Sequence, residues 1–359
     1  MPADQTKRCP GHTAGCPRKK RTLGGYGLIK HAKKGWILLV VIVGLLCQGC
    51  AHHFALPENQ QHAVYLLKSQ ADSQLLRSAP AWLTYGFADR YNRIGAPTAR
   101  GSTSDSEKVW VDTEQPVVYT MQRPFATAGA SYTNYIYRIH FPRVPYRVIP
   151  FNLTAGDHPG LLVVITVNKQ NQPVLITSVG TCGCYKAFVP TDYLPDHSLP
   201  ADWQSAEKQD IYGEHLPARL MYKNVQDPVL LIHLRPGVHR VMDLEVVPAE
   251  QLGNERYMTI PMTAAPMDAL LHLPTDDGAG TSFYFLDGWR KGYVKGSIKP
   301  FEMVFMSLIS LDLFVGSDKV YSDPAEWENR FYTSLKPWRR DDSDMWDFAR
   351  FLKYWGWRL

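Results

Sequence analysis

Short runs of β-branched and aromatic residues between 108 and 298 constrain the fold of this chain more than any other feature. Val, Ile, Tyr and Thr dominate residues 108–112 (KVWVD), 116–122 (PVVYTMQ) and 131–141 (SYTNYIYRIHF), as is typical of strands. Two apolar runs, LLVVITV and PVLITSV, flank a polar turn at 168–172 and predict a hairpin. Because these runs are apolar throughout, they indicate strands covered on both faces, as in a β-sandwich.

Two more segments predict hairpins. Residues 229–247 place Arg235-Pro236-Gly237 between apolar runs, and residues 283–296 place Asp287-Gly288 at a turn. A three-residue loop in the first hairpin would set His233 opposite His239. A two-residue loop would put the two histidines on opposite faces, and the sequence leaves both registers open.

Helices are predicted on either side of this β-rich centre. Residues 61–107 are expected to be a helical segment, because Val64, Leu66, Leu67, Leu75 and Leu76 suggest an apolar stripe. Residues 299–359 are expected to be helical again, with a buried core helix at 300–315 and a helix start at Asp323-Pro324. The predicted fold class is therefore α+β, a β-sandwich-like centre at 108–298 flanked by N-terminal and C-terminal helices.

The last predicted helix carries one apolar stripe at 344–355. Phe348, Phe351, Leu352 and Trp355 recur at the helical spacing. We expect this stripe to dock onto the protein's own sheet. The alternative is an interfacial membrane contact through the tryptophans near the end of the chain.

The first 50 residues have the order of a secretory signal. Nine of the 39 Lys and Arg residues and one of the 34 acids lie there, and the uncharged run WILLVVIVGLLC at 36–47 follows them. Twelve residues are fewer than the roughly 20 that a membrane-spanning helix needs. The rest of the chain has 30 bases and 33 acids, a net charge of −3, so the overall +5 gives no support for nucleic-acid binding.

The end of the apolar run, Leu46-Cys47-Gln48-Gly49-Cys50, resembles the lipobox of bacterial lipoproteins. The resemblance covers about residues 30–50. It implies cleavage after Gly49, lipidation of Cys50 with acyl chains such as palmitate, and a tether at 51–60. It also implies a lipid-anchored protein of the bacterial cell envelope, with the outer membrane facing the periplasm favoured because Ala51 follows the lipidated cysteine.

Cys182 and Cys184 are the sharpest local feature beyond this leader. An exported protein meets an oxidising compartment, so a disulfide is the first interpretation. A soft-metal site for Cu or Zn is the second, with ligands drawn from His140, His158, His233 and His239. A nucleophilic cysteine beside a histidine base is the third.

We find no phosphate-binding glycine loop, Gly-x-Ser-x-Gly elbow or His-Glu-x-x-His motif in the sequence. We therefore expect a non-enzymatic binding or assembly module that requires no cofactor, with an envelope protein or a ligand as partner. The alternative is a thiol redox or Cu/Zn protein centred on Cys182 and Cys184. The 19 Tyr and 10 Trp could line a groove for a glycan or a peptide.

Overall fold

The computed structural model describes residues 61–68, 73–101, 107–148, 151–203, 206–253 and 257–359. Gly49, the predicted lipidation site Cys50 and the predicted tether lie outside the described residues. Within the described part of the chain, no helix is long and apolar enough to cross a membrane.

The described residues are mostly β, as predicted for the centre of the chain. The strands in chain order are β1 (His62–Leu67), β2 (Ala81–Tyr85), β3 (Ala96–Arg100), β4 (Lys108–Asp112), β5 (Val117–Ala126), β6 (Ser131–His140), β7 (Arg143–Val144), β8 (Gly156–Asp157), β9 (Gly160–Val167), β10 (Pro173–Gly180), β11 (Ala187–Pro190), β12 (Lys208–Ile211), β13 (Glu214–Pro217), β14 (Pro228–Leu234), β15 (Val241–Pro248) and β16 (Met258–Pro266). Ten of them form one large curled mixed sheet in the order β11-β10-β9-β6-β5-β16-β1-β2-β14-β15.

The hairpin predicted around residues 168–172 is confirmed, because β9 and β10 pair antiparallel. Asn168 closes the turn by accepting hydrogen bonds from the backbone N–H groups of Gln170 and Gln172. Alternate residues of β9 enter different cores: Leu162 and Val164 pack on one face of the sheet, and Val163 packs on the other. Burial on both faces explains why the run is apolar throughout.

The hairpin predicted at 229–247 is also confirmed, but both predicted loop lengths are wrong. Arg235 donates its backbone N–H to Arg240, which leaves a four-residue loop between them. His239 closes that loop with a positive φ of 57°, and His233 lies opposite Asp243. His233 and His239 therefore do not form a cross-strand pair.

The prediction that residues 61–107 form a helical segment is wrong. This stretch contains β1, β2 and β3, and its described part holds one short α-helix, α1 (Gln74–Arg77), and a 3-10 turn at Arg90–Asn92. β1 is a central strand between β2 and β16, and Ala63, Val64 and Tyr65 are all buried. A strand buried on both faces shows no alternation, so its apolar run resembles part of a helical stripe.

Four further α-helices follow in the described residues: α2 (Ala249–Leu252), α3 (Pro300–Ser310), α4 (Pro324–Trp327) and α5 (Phe348–Tyr354). Asp323 caps α4 as predicted, accepting a hydrogen bond from Ala325 N over 2.9 Å. The segment predicted as a hairpin at 283–296 pairs through a Tyr284–Val294 bridge.

The predicted docking of the last helix is confirmed. Phe348 and Phe351 are buried and lie 5.3 and 5.6 Å, between ring centroids, from Phe125 of β5 and Phe188 of β11. Trp355, the fourth residue of the predicted stripe, is partly buried.

The prediction that residues 300–315 form a buried core helix is wrong. The buried side chains of α3 are the polar Glu302 and Ser310. Val304 and Leu308 are 70% and 84% exposed. The helix rests on the protein through these polar side chains and through Phe301, whose ring centroid lies 4.9 Å from that of Phe151, while Val304 and Leu308 face outward.

Candidate functional site

Cys182 and Cys184 form a disulfide in the loop between β10 and β11. Gly180 N donates to the Cys184 carbonyl oxygen over 2.8 Å and closes the loop. Cys182 is buried, while Cys184 is partly exposed. Of the three interpretations of this pair, the structure therefore has the disulfide, and Cys184 is the more exposed of its two residues.

Gly183 lets another segment lie directly on this loop. Its φ is +90°, and a Cβ at this position would lie 2.1 Å from the backbone oxygen of Tyr332. A side chain could not fit without moving the backbone of Tyr332. The disulfide loop is thus held between the end of β10 and the segment around Tyr332.

A cluster of buried charges lies beside the loop, centred on Asp318. Its carboxylate is 3.2 Å from Lys299 Nζ and accepts hydrogen bonds from the hydroxyl groups of Ser297 and Thr181 and from Gly160 N. Burial alone would raise the pKa of Asp318, but the Lys299 ammonium and the hydroxyl donors hold this pKa below its ordinary value. Asp318 is therefore a buried carboxylate whose charged form is stabilised.

Lys319 connects this cluster to the disulfide. Its Nζ donates to the Cys182 carbonyl oxygen over 2.8 Å and lies 4.6 Å from the centroid of the Tyr332 ring. Burial lowers the pKa of Lys319 to about 8. Its backbone N–H also donates to Thr181, so side chain and main chain both contact the residues that begin the loop.

Two of the four predicted histidines lie near this cluster. His140 is buried, and its Nε2 accepts a hydrogen bond from Arg138 Nε over 2.9 Å. Burial and the neighbouring Arg138 charge hold the pKa of His140 well below its ordinary value. His158 contacts the Lys295 carbonyl oxygen through Nδ1 at 3.0 Å. The rings of both histidines contact Phe283.

The other two histidines are elsewhere. His233 contacts the Tyr85 hydroxyl on the distal part of the sheet, and His239 stacks on Phe141 with 4.1 Å between ring centroids. In the described ranges, no three His, Cys, Asp or Glu side chains are grouped so as to hold a metal ion. Because Arg138 occupies the His140 Nε2 lone pair, the structure gives the predicted Cu or Zn site no support.

An aromatic cleft of about 700 Å³ opens beside β11, next to the disulfide loop. Three tryptophans from two distant parts of the chain line it, Trp203, Trp355 and Trp357. The rings of Trp203 and Trp357 have centroids 5.2 Å apart, and Phe188 lies 5.4 Å from Trp357. Trp357 and Phe188 are buried and support the wall, whereas Trp203 and Trp355 are partly exposed and give the cleft its apolar faces.

Charged side chains share the aromatic cleft with the rings. Lys186, two residues after Cys184, holds its Nζ 3.3 Å from the centroid of the Trp355 ring. Burial lowers the pKa of Lys186 to about 8. Asp202 and Asp210 also line the cleft. The cleft thus combines flat apolar rings with positive and negative side chains. Such a lining suits a ligand that has both polar groups and apolar surfaces.

The sequence indicated the cysteine pair but neither the Asp318 cluster nor the aromatic cleft. Asp318 and Lys319 are two charges after a helix, in a segment without regular periodicity. The cleft collects residues from 186–188, 200–212 and 355–357. The high Trp and Tyr content of the sequence is compatible with an aromatic cleft, but it does not indicate which of these residues line it.

Three comparisons with known proteins complete this description. No family model, no curated protein and no solved structure matches this chain. The function must therefore be argued from the geometry of the site itself.

Proposed function

We propose that this chain is a lipid-anchored module of the bacterial envelope that binds a carbohydrate in the aromatic cleft. The observation that carries the proposal is the set of three tryptophans around an open cleft that also holds Lys186, Asp202 and Asp210. The role is binding rather than catalysis.

Carbohydrate is the ligand class that matches this lining. A sugar ring has faces of C–H groups that pack on aromatic rings and a rim of hydroxyl groups that need hydrogen-bond partners. Trp203 and Trp355, which are both partly exposed, offer the apolar faces, and the carboxylates and the Lys186 ammonium offer acceptors and donors. A peptide is the competing ligand, because it too combines apolar and polar groups.

The proposed location follows from the leader. Cleavage after Gly49 and acylation of Cys50 would hold the protein on the membrane, since two or more acyl chains make anchoring stable. The proposed site is the periplasmic face of the outer membrane. The β-sandwich-like description of the centre belongs to the same proposal. The curling of the sheet supports it, because Ile165 of β9 and Ile232 of β14, six positions apart in the strand order, belong to one hydrophobic core.

The test is an array of bacterial envelope polysaccharides and peptidoglycan sugar chains, run beside an array of peptides. The full chain is applied as the wild type, as Trp203→Ala and as Trp338→Ala. Trp338 is 75% exposed and does not line the cleft, so its replacement is the matched control. Glycan signals that fall with Trp203→Ala and persist with Trp338→Ala support the proposal. Binding to peptides and to no glycan would show that the ligand is a peptide and would contradict the carbohydrate proposal.

A thiol redox role is the second candidate, and the partly exposed Cys184 favours it. A thiolate of a partner dithiol would attack the Cys184 sulfur, and Cys182 would leave as a thiolate. The partner's second thiol would then release the partner as a disulfide, so two electrons pass to the cysteine pair. Exchange with a dithiol that is lost in Cys184→Ser would establish this role, and failure to exchange would exclude it.

A further inference from the structure

The most exposed apolar surface described here is on and after α3. We call it the α3 apolar face and define it by its six members. These are Val304, Phe305, Leu308, Ile309, Leu311 and Leu313, with exposed fractions from 38% to 84%. Soluble proteins rarely leave a contiguous group of large apolar side chains in water, so this face requires a partner.

The orientation of α3 is fixed by polar contacts beneath it. Glu302 is buried, and its carboxylate lies against Gly316. Arg340 donates a hydrogen bond to the backbone oxygen of Ser310 at the end of the helix. Rotation of α3 to bury its apolar side would bring Glu302 to the surface and break these contacts. The outward direction of the α3 apolar face is therefore a property of the fold.

Two exposed tryptophans are close in sequence to partly buried arginines that contact this segment. Trp289 is 88% exposed, and its neighbour Arg290 lies 5.5 Å from the centroid of the Phe314 ring, just after the α3 apolar face. Trp338 is 75% exposed and precedes Arg340, which contacts the end of α3. Apolar helix residues edged by Trp and by Lys or Arg are the composition of segments that lie in the interface of a lipid bilayer.

A series of contacts links the start of the described chain to α3. Gln61 accepts a hydrogen bond from Phe87 N, and Tyr91, four residues later, accepts one from Arg147. The tyrosine before Arg147 packs against Phe301 of α3 with ring centroids 6.0 Å apart. Ten residues lie between Cys50 and Gln61 in the sequence, so the eleven steps from one to the other reach at most about 40 Å.

We propose that the α3 apolar face, with Trp289 and Trp338, inserts into the bilayer surface to which Cys50 is anchored. The partner is phospholipid, and the inserted helix fixes how the domain sits on the membrane. This inference rests on the anchoring part of the proposed function and is independent of the ligand in the aromatic cleft. It gives the tethered domain a second point of attachment.

The test uses the full chain in vesicles of phosphatidylethanolamine and phosphatidylglycerol that contain a phospholipid with a photoactivatable acyl chain. After illumination, mass spectrometry of the digested protein maps the residues that carry lipid. The variant Leu308→Glu places a charge on the α3 apolar face. Met221→Glu, at an apolar side chain that is 50% exposed beside β11, is the matched control.

We expect lipid adducts within 304–313 in the wild type and in Met221→Glu, and at least a tenfold loss of them in Leu308→Glu. Labelling confined to residues before 61 would overturn the proposal, as would crosslinks that join α3 of one copy to a second copy. The same digest reports acylation of Cys50. If Cys50 carries acyl chains but α3 is not labelled, the insertion of α3 into the bilayer is rejected and the lipid anchor stands. If α3 is labelled but Cys50 carries no acyl chains, the lipid anchor is rejected and the insertion of α3 stands.

Discussion

Lys299 Nζ lies 3.2 Å from the Asp318 carboxylate, and both side chains are almost completely buried. A buried ion pair gains Coulomb energy but loses the hydration of both charges, so its net contribution to stability is small. Removal of one partner is costly, because the other charge then stays in the interior without compensation. This pair supports the segment that lies against the disulfide loop.

The replacement Asp318→Asn is expected to destabilise the protein by about 3–5 kcal/mol, since Lys299 loses its partner. The double variant Asp318→Asn with Lys299→Met is expected to recover a large part of that loss. Urea unfolding of the full chain measures both. The control is Asp196→Asn, which breaks an exposed pair with Arg219 and should cost about 0–1 kcal/mol. Equal losses at the two sites would contradict this account.

Asp344 makes stability depend on pH. Burial raises the pKa of Asp344 to about 6, above the value of about 3.9 expected in the unfolded chain. The folded state therefore binds more protons between about pH 4 and 6, and the free energy of unfolding falls as the pH rises through this window. Asn stays neutral and can still accept the hydrogen bond from Trp346 N.

We expect Asp344→Asn to stabilise the chain by about 1–2 kcal/mol at pH 8 and to have little effect near pH 4. Thermal unfolding of the wild type and the variant at both pH values measures the difference. The same change in stability at both pH values would show that the Asp344 charge is not the cause.

Lys186 should react as an unusually neutral amine, because burial lowers its pKa to about 8. At pH 7.5 roughly one quarter of a group with this pKa is neutral, against about one in a thousand for an ordinary lysine. Amine acetylation read by mass spectrometry should therefore modify Lys186 with a midpoint near pH 8. Lys208, exposed on the same cleft, is the internal reference.

The lowered pKa of Lys186 also determines how ligand binding and the stability of the fold change with pH. The Lys186 ammonium is present below about pH 8 and is lost above it, so a ligand that uses this charge should bind more weakly at pH 9. Between about pH 8 and 10.5 the unfolded chain binds the additional proton, so this group makes folding more favourable as the pH rises. A labelling midpoint for Lys186 equal to that of Lys208 would contradict both expectations.

The end of the chain is expected to be essential for folding. Deletion of 344–359 removes Phe348, Phe351, Leu352 and Trp357 from the core. Each large aromatic residue taken from a core costs about 3–5 kcal/mol, and the total stability of a domain is about 5–15 kcal/mol. The truncated chain should therefore be insoluble or unfolded.

The matched control for that deletion removes 358–359 alone. It eliminates the hydrogen bonds from Arg358 to Ser198 and Leu199 and leaves the aromatic side chains in place. We expect this chain to stay soluble with a lower melting temperature. A deletion of 344–359 that melts like the wild type would refute the role assigned to α5.

Local features of the fold were predictable, and those set by distant residues were not. The β9–β10 hairpin is encoded by two apolar runs and the Asn168 turn, all within twenty residues. The strand β1 was mistaken for helix because its burial depends on β16, nearly 200 residues away. The orientation of α3 depends on Gly316 and Arg340, which its own periodicity does not reveal.

In the candidate site, too, the local feature is visible in the sequence and the contacts between distant residues are not. Cys182 and Cys184 are two residues apart and stood out in the sequence. Asp318 contacts the neighbouring Thr181 across more than 130 positions, and Trp203 contacts Trp357 across more than 150. No pattern in a single sequence reports contacts at such separations.

The measurement that tests the central claim most directly is a titration of the full chain with the envelope glycan that gives the strongest array signal. The wild type, Trp203→Ala and Trp338→Ala are compared by calorimetry. The account predicts at least tenfold weaker binding for Trp203→Ala, a loss of about 1.4 kcal/mol, and unchanged binding for Trp338→Ala. Equal affinity of Trp203→Ala and the wild type, or no glycan binding at all, would contradict it.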